Sequence, residues 1–145
     1  MNSGKKLGKG TFATVFESKD SPLIAVKKNE KSDNYIEILA LLAIAPHPNV
    51  IRMFRFGVDE HRRYWMEMPR YSMDLHDFIY GYSGLLELQE LFDMAAQIVA
   101  GLAHVHDQGW IHRDVKPANI LINSKGDACL ADFDLVFYRE TTGAT

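Results

Sequence analysis

The stretch HRDVKPAN, residues 112–119, decides how this chain is read. It sets His112, Arg113, Asp114, Lys116 and Asn119 between two short apolar runs, Trp110–Ile111 and Ile120–Ile122. A polar stretch between strand-like runs predicts a surface loop. Upstream, Leu88, Leu91, Phe92, Ala95, Ile98, Val99, Leu102 and Val105 recur at helical spacing, which predicts one long helix over residues 86–107. Gly109 is its natural stop. Downstream, ACLADFDLVF (128–137) is a further strand-like run, so residues 110–137 read as a small hairpin behind a helix.

The chain before Pro69 has a different character. KKLGKG (5–10) and TFATVFES (11–18) are short runs around a glycine turn, and PLIAVKK (22–28) is an apolar run behind the turn KDSP. DNYIEILALLAIA predicts a helix over 33–45, with Ser32, Asp33 or Asn34 as its cap and Pro46 and Pro48 ending it. VIRMFRFGV (50–58) and RRYWMEM (62–68) predict two more strands around the turn DEH, and MDLHDFI begins a short helix. The order is a β-rich section with one inserted helix, then a helical section carrying a hairpin.

Composition bounds the function. With 145 residues, 47% hydrophobic and 24% charged, the chain suits one globular domain with a sizeable core. A net charge of −3 argues against a nucleic-acid-binding surface, and the lysines 5, 6 and 9 read as a solvated strand end. Cys129 is the only cysteine, which excludes an internal disulfide, and its apolar neighbours suggest a buried small residue. The start MNSGKKLGKG has no apolar signal region, and the run ILALLAIAP (38–46) is far too short to span a bilayer. The expectation is a protein without membrane or nucleic-acid partners, intracellular, in the cytoplasm, the nucleus or both.

HRDVKPAN resembles the catalytic loop of eukaryotic-type protein kinases, matching at His112, Arg113, Asp114, Lys116, Pro117 and Asn119. The resemblance implies Asp114 as the base at the acceptor hydroxyl, Lys116 as a cation for charge on the transferred phosphate, and Asn119 as a magnesium ligand. A lysine two residues after the aspartate is similar to the Ser/Thr-directed type. GKGTFATV, Gly8 to Val15, resembles the glycine-rich turn that covers ATP phosphates, with Gly8, Lys9, Gly10, Thr11, Phe12 and Ala13 around the nucleotide and Ala13 replacing the third glycine. A Walker-type phosphate loop is excluded by the spacing of GKKLGKGT. IAVK resembles the strand whose lysine meets the α- and β-phosphates, which implies that role for Lys27. Glu37 is the candidate partner, with Glu30 as the fallback, and Glu37 could instead cap its own helix against Asn34.

WMEMPRYSMDL is similar to the hinge between two lobes. Matching Asp74–Leu75 to the family's DL places Met68 beside the nucleotide, with Pro69 and Tyr71 offering backbone groups to adenine; in the other register Met66 takes that place and Pro69 falls where an N–H is needed. Asp74 touches the ribose or caps the helix that follows. Val15, Ala25 and Leu121 are expected around adenine, and Leu41, Met53, Phe133 and His112 in a packed column. His104, His106 and His112 also invite a zinc reading, which the histidine-bearing helix end of the family displaces.

Asp132 matches the family's second magnesium ligand, and Phe133 matches its packing partner. Asp134 stands where glycine is usual, which alters backbone freedom and local charge. The expected fold is α+β and protein kinase-like: an antiparallel N-lobe with one helix (1–68), a hinge (69–73) and the start of a mainly helical C-lobe (74–145). The family's closing segment and later helices have no match here, so a truncated product is expected, its long helix exposing an apolar face. Thr141 and Thr142 are candidate phosphosites near Arg113. The implied function is transfer of the ATP γ-phosphoryl group to a protein Ser or Thr hydroxyl with ATP and Mg2+; the alternatives are a nucleotide-binding scaffold or an inactive product.

Overall fold

The structure is a computed structural model that describes residues 3–31, 33–81 and 87–139. Five strands form an antiparallel sheet: β1 (Ser3–Lys9), β2 (Ala13–Ser18), β3 (Ile24–Asn29), β4 (Arg55–Val58) and β5 (Tyr64–Pro69), in the order β1-β2-β3-β5-β4. Helix α1 (Ile36–Ala43) is inserted between β3 and β4. After β5 come β6 (Met73–Asp74), α2 (Leu75–Gly81), α3 (Leu88–Asp107), β7 (Trp110–Ile111), β8 (Ile120–Ile122), β9 (Ala128–Leu130) and β10 (Phe137–Tyr138). The architecture is α+β and kinase-like, as expected.

The two-residue period of the strands places the site. In β5, Tyr64, Met66 and Met68 alternate and all are buried. Opposite them in β3, Ala25 pairs with Met68 and Lys27 with Met66, while Lys27 also faces Val15 of β2. An apolar wall therefore carries one lysine at its centre. Glu67, on the other side of β5, is also buried, and the Arg55 guanidinium meets it at 2.6 Å and 2.7 Å. That pair holds the Glu67 carboxyl below the usual carboxylate range.

Three expected elements are corrected by the structure. Helix α1 covers 36–43 rather than 33–45, because Asp33 takes a left-handed φ of 64° and Ile44 is already extended. The strand expected over 50–58 is confined to 55–58, because the segment before it pairs elsewhere. Ile51 N–H donates to Leu130 O at 2.8 Å, Leu130 N–H to Asn49 O at 2.8 Å, and the Asn49 side chain to Ala128 O. These bonds stitch the loop after α1 onto β9 and join the sheet to the second section. Helix α3 starts at Leu88 behind a reciprocal Glu87–Glu90 capping box, and residue 86 lies outside the described residues.

The apolar residues of α3 do not share one buried face. Met94, Gly101 and Val105 are buried, with Ile98 and Leu102 against the core, whereas Leu88, Leu91, Phe92, Ala95 and Val99 are exposed. The expected exposed apolar side is present among the described residues. Gly101 is where α3 touches the Asn49 loop most closely: a Cβ there would overlap the Asn49 carbonyl oxygen. Gly101→Ala is therefore expected to destabilise the fold by about 1–3 kcal/mol, despite the better helix propensity of alanine. Urea unfolding measures it, and an unchanged midpoint would show that the loop gives way freely.

Candidate active site

A cleft of about 490 Å³ opens between the five-stranded sheet and β8. Its roof is the β1–β2 turn, where Gly8, Lys9, Gly10, Thr11 and Phe12 all reach the cavity. Gly10 N–H closes the turn on Ala13 O at 2.8 Å, and Glu30 N–H holds Phe12 O at 2.8 Å. The Lys31 ammonium lies 4.1 Å from the Phe12 ring centre. Ala13, at the start of β2, is buried opposite Asn29 and is not among the residues that line the cleft.

Val15 and Ala25 line the sheet side of the cavity, Leu121 the opposite side, and Met68 lies at the back with Met66. Pro69 and Tyr71 lie on the segment that leaves β5, where Arg70 N–H is held by Leu23 O at 2.8 Å. The Tyr71 side chain packs against the core, where burial and the neighbouring Cys129 push its phenol upward. Burial likewise pushes the Cys129 thiol up to about 11, so it is a buried, unreactive group as expected. Asp74 lines the cleft, and its Oδ1 accepts Asp77 N–H at 2.8 Å, so one oxygen caps α2.

At the inner end lies a network of buried charge. Lys27 Nζ donates to Glu37 Oε1 at 2.8 Å and Oε2 at 2.9 Å, to Asp134 Oδ2 at 3.1 Å and to Asp132 Oδ1 at 3.4 Å. Glu37 is the partner that α1 supplies. The fallback, Glu30, is elsewhere, accepting from Thr14 Oγ1 at 2.6 Å. Glu37 does not cap its own helix against Asn34 either: its oxygens face Lys27, Phe133 and Tyr64, while Asn34 Oδ1 accepts Ile36 N–H at 3.4 Å. Glu37 Oε2 also accepts Phe133 N–H at 2.7 Å, and Oε1 lies 2.7 Å from the Tyr64 hydroxyl. Burial works against the Lys27 charge, but Glu37, Asp132 and Asp134 outweigh it and hold its pKa above the ordinary lysine value.

Asp134 was expected to alter backbone freedom and local charge, but the sequence did not show which groups its carboxylate would meet. The left-handed residue of the turn is Asp132, at φ 60°, and Asp134 is not in that region. What matters is its side chain, which is buried and lies 2.9 Å from the Tyr64 hydroxyl. Tyr64 carries one hydroxyl hydrogen but faces two carboxylate oxygens, of Glu37 and Asp134. A proton on Asp134 resolves that conflict. Burial first, then the Glu37 charge, pushes the Asp134 carboxyl up to about 7 against the pull of Lys27. Burial raises Asp132 as well, but Lys27 and a hydrogen bond from Asp134 hold it below the usual range, so Asp132 keeps the charge.

The loop HRDVKPAN folds under this turn. His112 is buried, with Nε2 2.8 Å from Ala131 O and Nδ1 accepting Asp114 N–H at 3.1 Å. That pattern requires the neutral tautomer with hydrogen on Nε2, and burial holds the ring below its usual pKa. His112 stacks edge-on with Phe133 at 4.8 Å, and Leu41 and Met53 pack against the same core. Asn119 Nδ2 donates to Asp114 Oδ2 at 2.9 Å and to its carbonyl at 2.8 Å. Lys116 Nζ lies 3.7 Å from Asp114 Oδ1. Arg113, at φ 67°, donates to Leu135 O and lies over the Phe137 ring. Thr141 and Thr142 lie outside the described residues.

Asp114, Lys116, Asn119 and Asp132 all line the cleft that Lys27 enters. Asp132 offers a charged, partly accessible carboxylate, and Asn119 an amide oxygen not used by its bonds to Asp114. Hard oxygen donors of this kind suit Mg2+. The zinc reading of His104, His106 and His112 fails: His104 is 2.7 Å from Ala45 O and stacked on His47, and among the described residues the three do not form a metal-holding group. The clearest omission from the sequence reading is Tyr64, whose signal was a hydroxyl at an inward position of the alternating strand YWMEM.

The raised Asp134 pKa has a signed consequence for stability. An aspartate at about 7 when folded and near 3.8 when free adds stability below the lower value and loses it as pH rises through the upper one. Asp134→Asn cannot ionise, so its melting temperature is expected to gain on the parent chain between about pH 4 and pH 7 and to level off above that. A pH-independent difference, read by circular dichroism melts, would contradict the buried proton.

Residues 1–143 match the family described as Protein kinase domain. The chain is 31% identical over 144 residues to a probable CTD kinase subunit alpha homolog of Encephalitozoon cuniculi, covering 95% of this chain and 43% of that protein. It is 34% identical over 139 residues to the probable serine/threonine-protein kinase glkA of Dictyostelium discoideum, covering 89% of this chain and 28% of that protein. It is 36% identical over 107 residues to the serine/threonine-protein kinase PSK1 of Saccharomyces cerevisiae, covering 71% of this chain and 8% of that protein. The chain thus spans less than half the length of these curated relatives. The match runs over nearly the whole chain, and the chain belongs to the protein kinase family.

Proposed function

We propose that this chain carries the nucleotide-binding and catalytic-loop part of a Ser/Thr protein kinase, which transfers the γ-phosphoryl group of ATP to a hydroxyl of a protein substrate. The observation that carries the reading is the Lys27–Glu37 pair at 2.8 Å, facing Asp132 across the inner end of the cleft that Asp114 and Asn119 also line. In this reading residues 1–68 form the N-lobe, 69–73 the hinge and 74–145 the start of the C-lobe. The protein works inside the cell, in the cytoplasm, the nucleus or both. Among the described residues no helix is long and apolar enough to cross a membrane.

The residues divide the work. Gly8, Lys9, Gly10, Thr11 and Phe12 cover the phosphates from the roof, where glycines let the backbone come close. Val15, Ala25, Met68 and Leu121 hold the base on its flat faces, while Pro69 and Tyr71 offer it main-chain groups. Lys27, kept in place by Glu37, orients the phosphates. Asn119 and Asp132 hold Mg2+, which supplies charge neutralisation on the phosphates when bound. Asp114 orients the acceptor hydroxyl and takes its proton, and Lys116 offsets charge on the transferred group. The hydrogen bonds from Asn119 hold the Asp114 carboxylate in place.

One observation favours a second reading. Asp134 already occupies Lys27, which suits a nucleotide-binding scaffold that signals by docking rather than by phosphotransfer. A thermal melt with and without excess MgATP tests nucleotide binding in both. A ligand at about 100 times its Kd adds roughly 2.7 kcal/mol, so a clear upward shift is expected, lost in Asp132→Asn. No shift under any nucleotide and metal condition would overturn both readings. In a version extended through the rest of the catalytic domain, Asp114→Asn is expected to retain the melt shift and lose about 10²–10⁴-fold of phosphotransfer. A parent protein that binds MgATP yet phosphorylates no protein would leave the scaffold.

A further inference from the structure

We propose that Asp134 is a positioning residue of the nucleotide site: its carboxylate occupies the Lys27 ammonium where a phosphate would stand, and so makes nucleotide capture depend on divalent metal. The inference rests on the ATP-binding reading above and goes beyond it in naming what controls entry.

Hydrogen counting gives the first part of the case. A lysine ammonium has three N–H donors. Around Lys27 Nζ stand four carboxylate oxygens within 3.4 Å, two of Glu37 and one each of Asp132 and Asp134. Every donor is therefore engaged inside the protein, and a phosphate gains one only when a carboxylate yields. Glu37 is the group least able to yield, because it also accepts Phe133 N–H and meets the Tyr64 hydroxyl. Asp134 lies 2.9 Å from the same hydroxyl, 3.1 Å from the Lys27 ammonium, and is buried beside Glu37. Asp132 has the longest contact and the most accessible side chain of the three carboxylates.

Charge gives the second part. Three acidic side chains, of Glu37, Asp132 and Asp134, converge on the single Lys27 cation, and their oxygens lie within 4.8 Å of one another. An incoming polyphosphate meets excess negative charge there. Asp132, once it ligates a divalent cation, loosens from Lys27 and returns one N–H to the phosphates. Without a cation that release does not occur, and Asp134 keeps the lysine. Glycine at this position would have no group to compete, so the control belongs to the side chain alone.

The test is isothermal titration of ATP into the parent chain, Asp134→Asn and Asp134→Gly, in EDTA and in excess MgCl2. It is run at about pH 8, where carboxylates are ionised. Unliganded melts identify which variant is folded, and glycine serves if asparagine is not. The expected result is a rise in metal-free ATP affinity of about tenfold or more in the variant, with affinities in Mg2+ converging to within about threefold. A merely structural role would change both conditions together. Equal or weaker metal-free binding by a folded variant, beside a parent that binds MgATP, overturns this inference and leaves the ATP-binding reading intact. No binding by parent or variant in either condition overturns that reading and the inference with it.

Discussion

An ammonium group with 7% of its side chain accessible cannot stand unpaired, and Lys27 is tolerated only because acidic oxygens from two other parts of the chain reach it. Glu37 comes from α1, and Asp132 and Asp134 from the turn after β9. Each depends on the others. With Lys27 removed, three carboxylates would crowd one another; with Glu37 removed, the lysine, the Phe133 N–H and the Tyr64 hydroxyl would all lose a partner. Helix, sheet and turn are thus fixed to one another by charge satisfaction as much as by apolar packing.

The surroundings make that network specific. Ala40 and Met66 are buried in the same core as Phe133, which is itself fully buried and meets His112 edge-on. In such a setting a poorly aligned polar contact is costly, so the geometry is tightly defined. Among the described residues, no buried side-chain nitrogen or oxygen lacks a hydrogen-bond partner. The same bonds order the turn that carries Asp132 and, through His112, the loop that carries Asp114. Positioning of the candidate catalytic groups therefore follows from folding of the core.

Much of this was legible in the residues. Short strand-like runs between turns, the glycine turn at Gly8–Gly10 and the spacing within HRDVKPAN all marked elements that the structure contains, because they are local patterns. The pairing of Lys27 with Glu37 was the preferred option despite the short segment between them. What stayed hidden was non-local. No local pattern shows that Asn49–Ile51 pairs with β9 instead of extending β4, or that only one line of α3 apolar residues meets the core. Asp134 drew notice for its backbone and its charge, but no local pattern showed which groups its carboxylate meets. That outcome depends on Tyr64 and Lys27, distant in sequence, arriving at the same point.

The measurement closest to the centre is a double-mutant cycle between Lys27→Met and Glu37→Leu, read by denaturant unfolding of the two single variants and the double variant. Breaking a buried pair by removing one partner costs about 3–5 kcal/mol, whereas removing both spares the uncompensated charge. The expected result is a double variant at least about 2 kcal/mol more stable than the sum of the single losses implies. Additive losses would contradict the buried ion pair as the constraint that joins helix, sheet and turn.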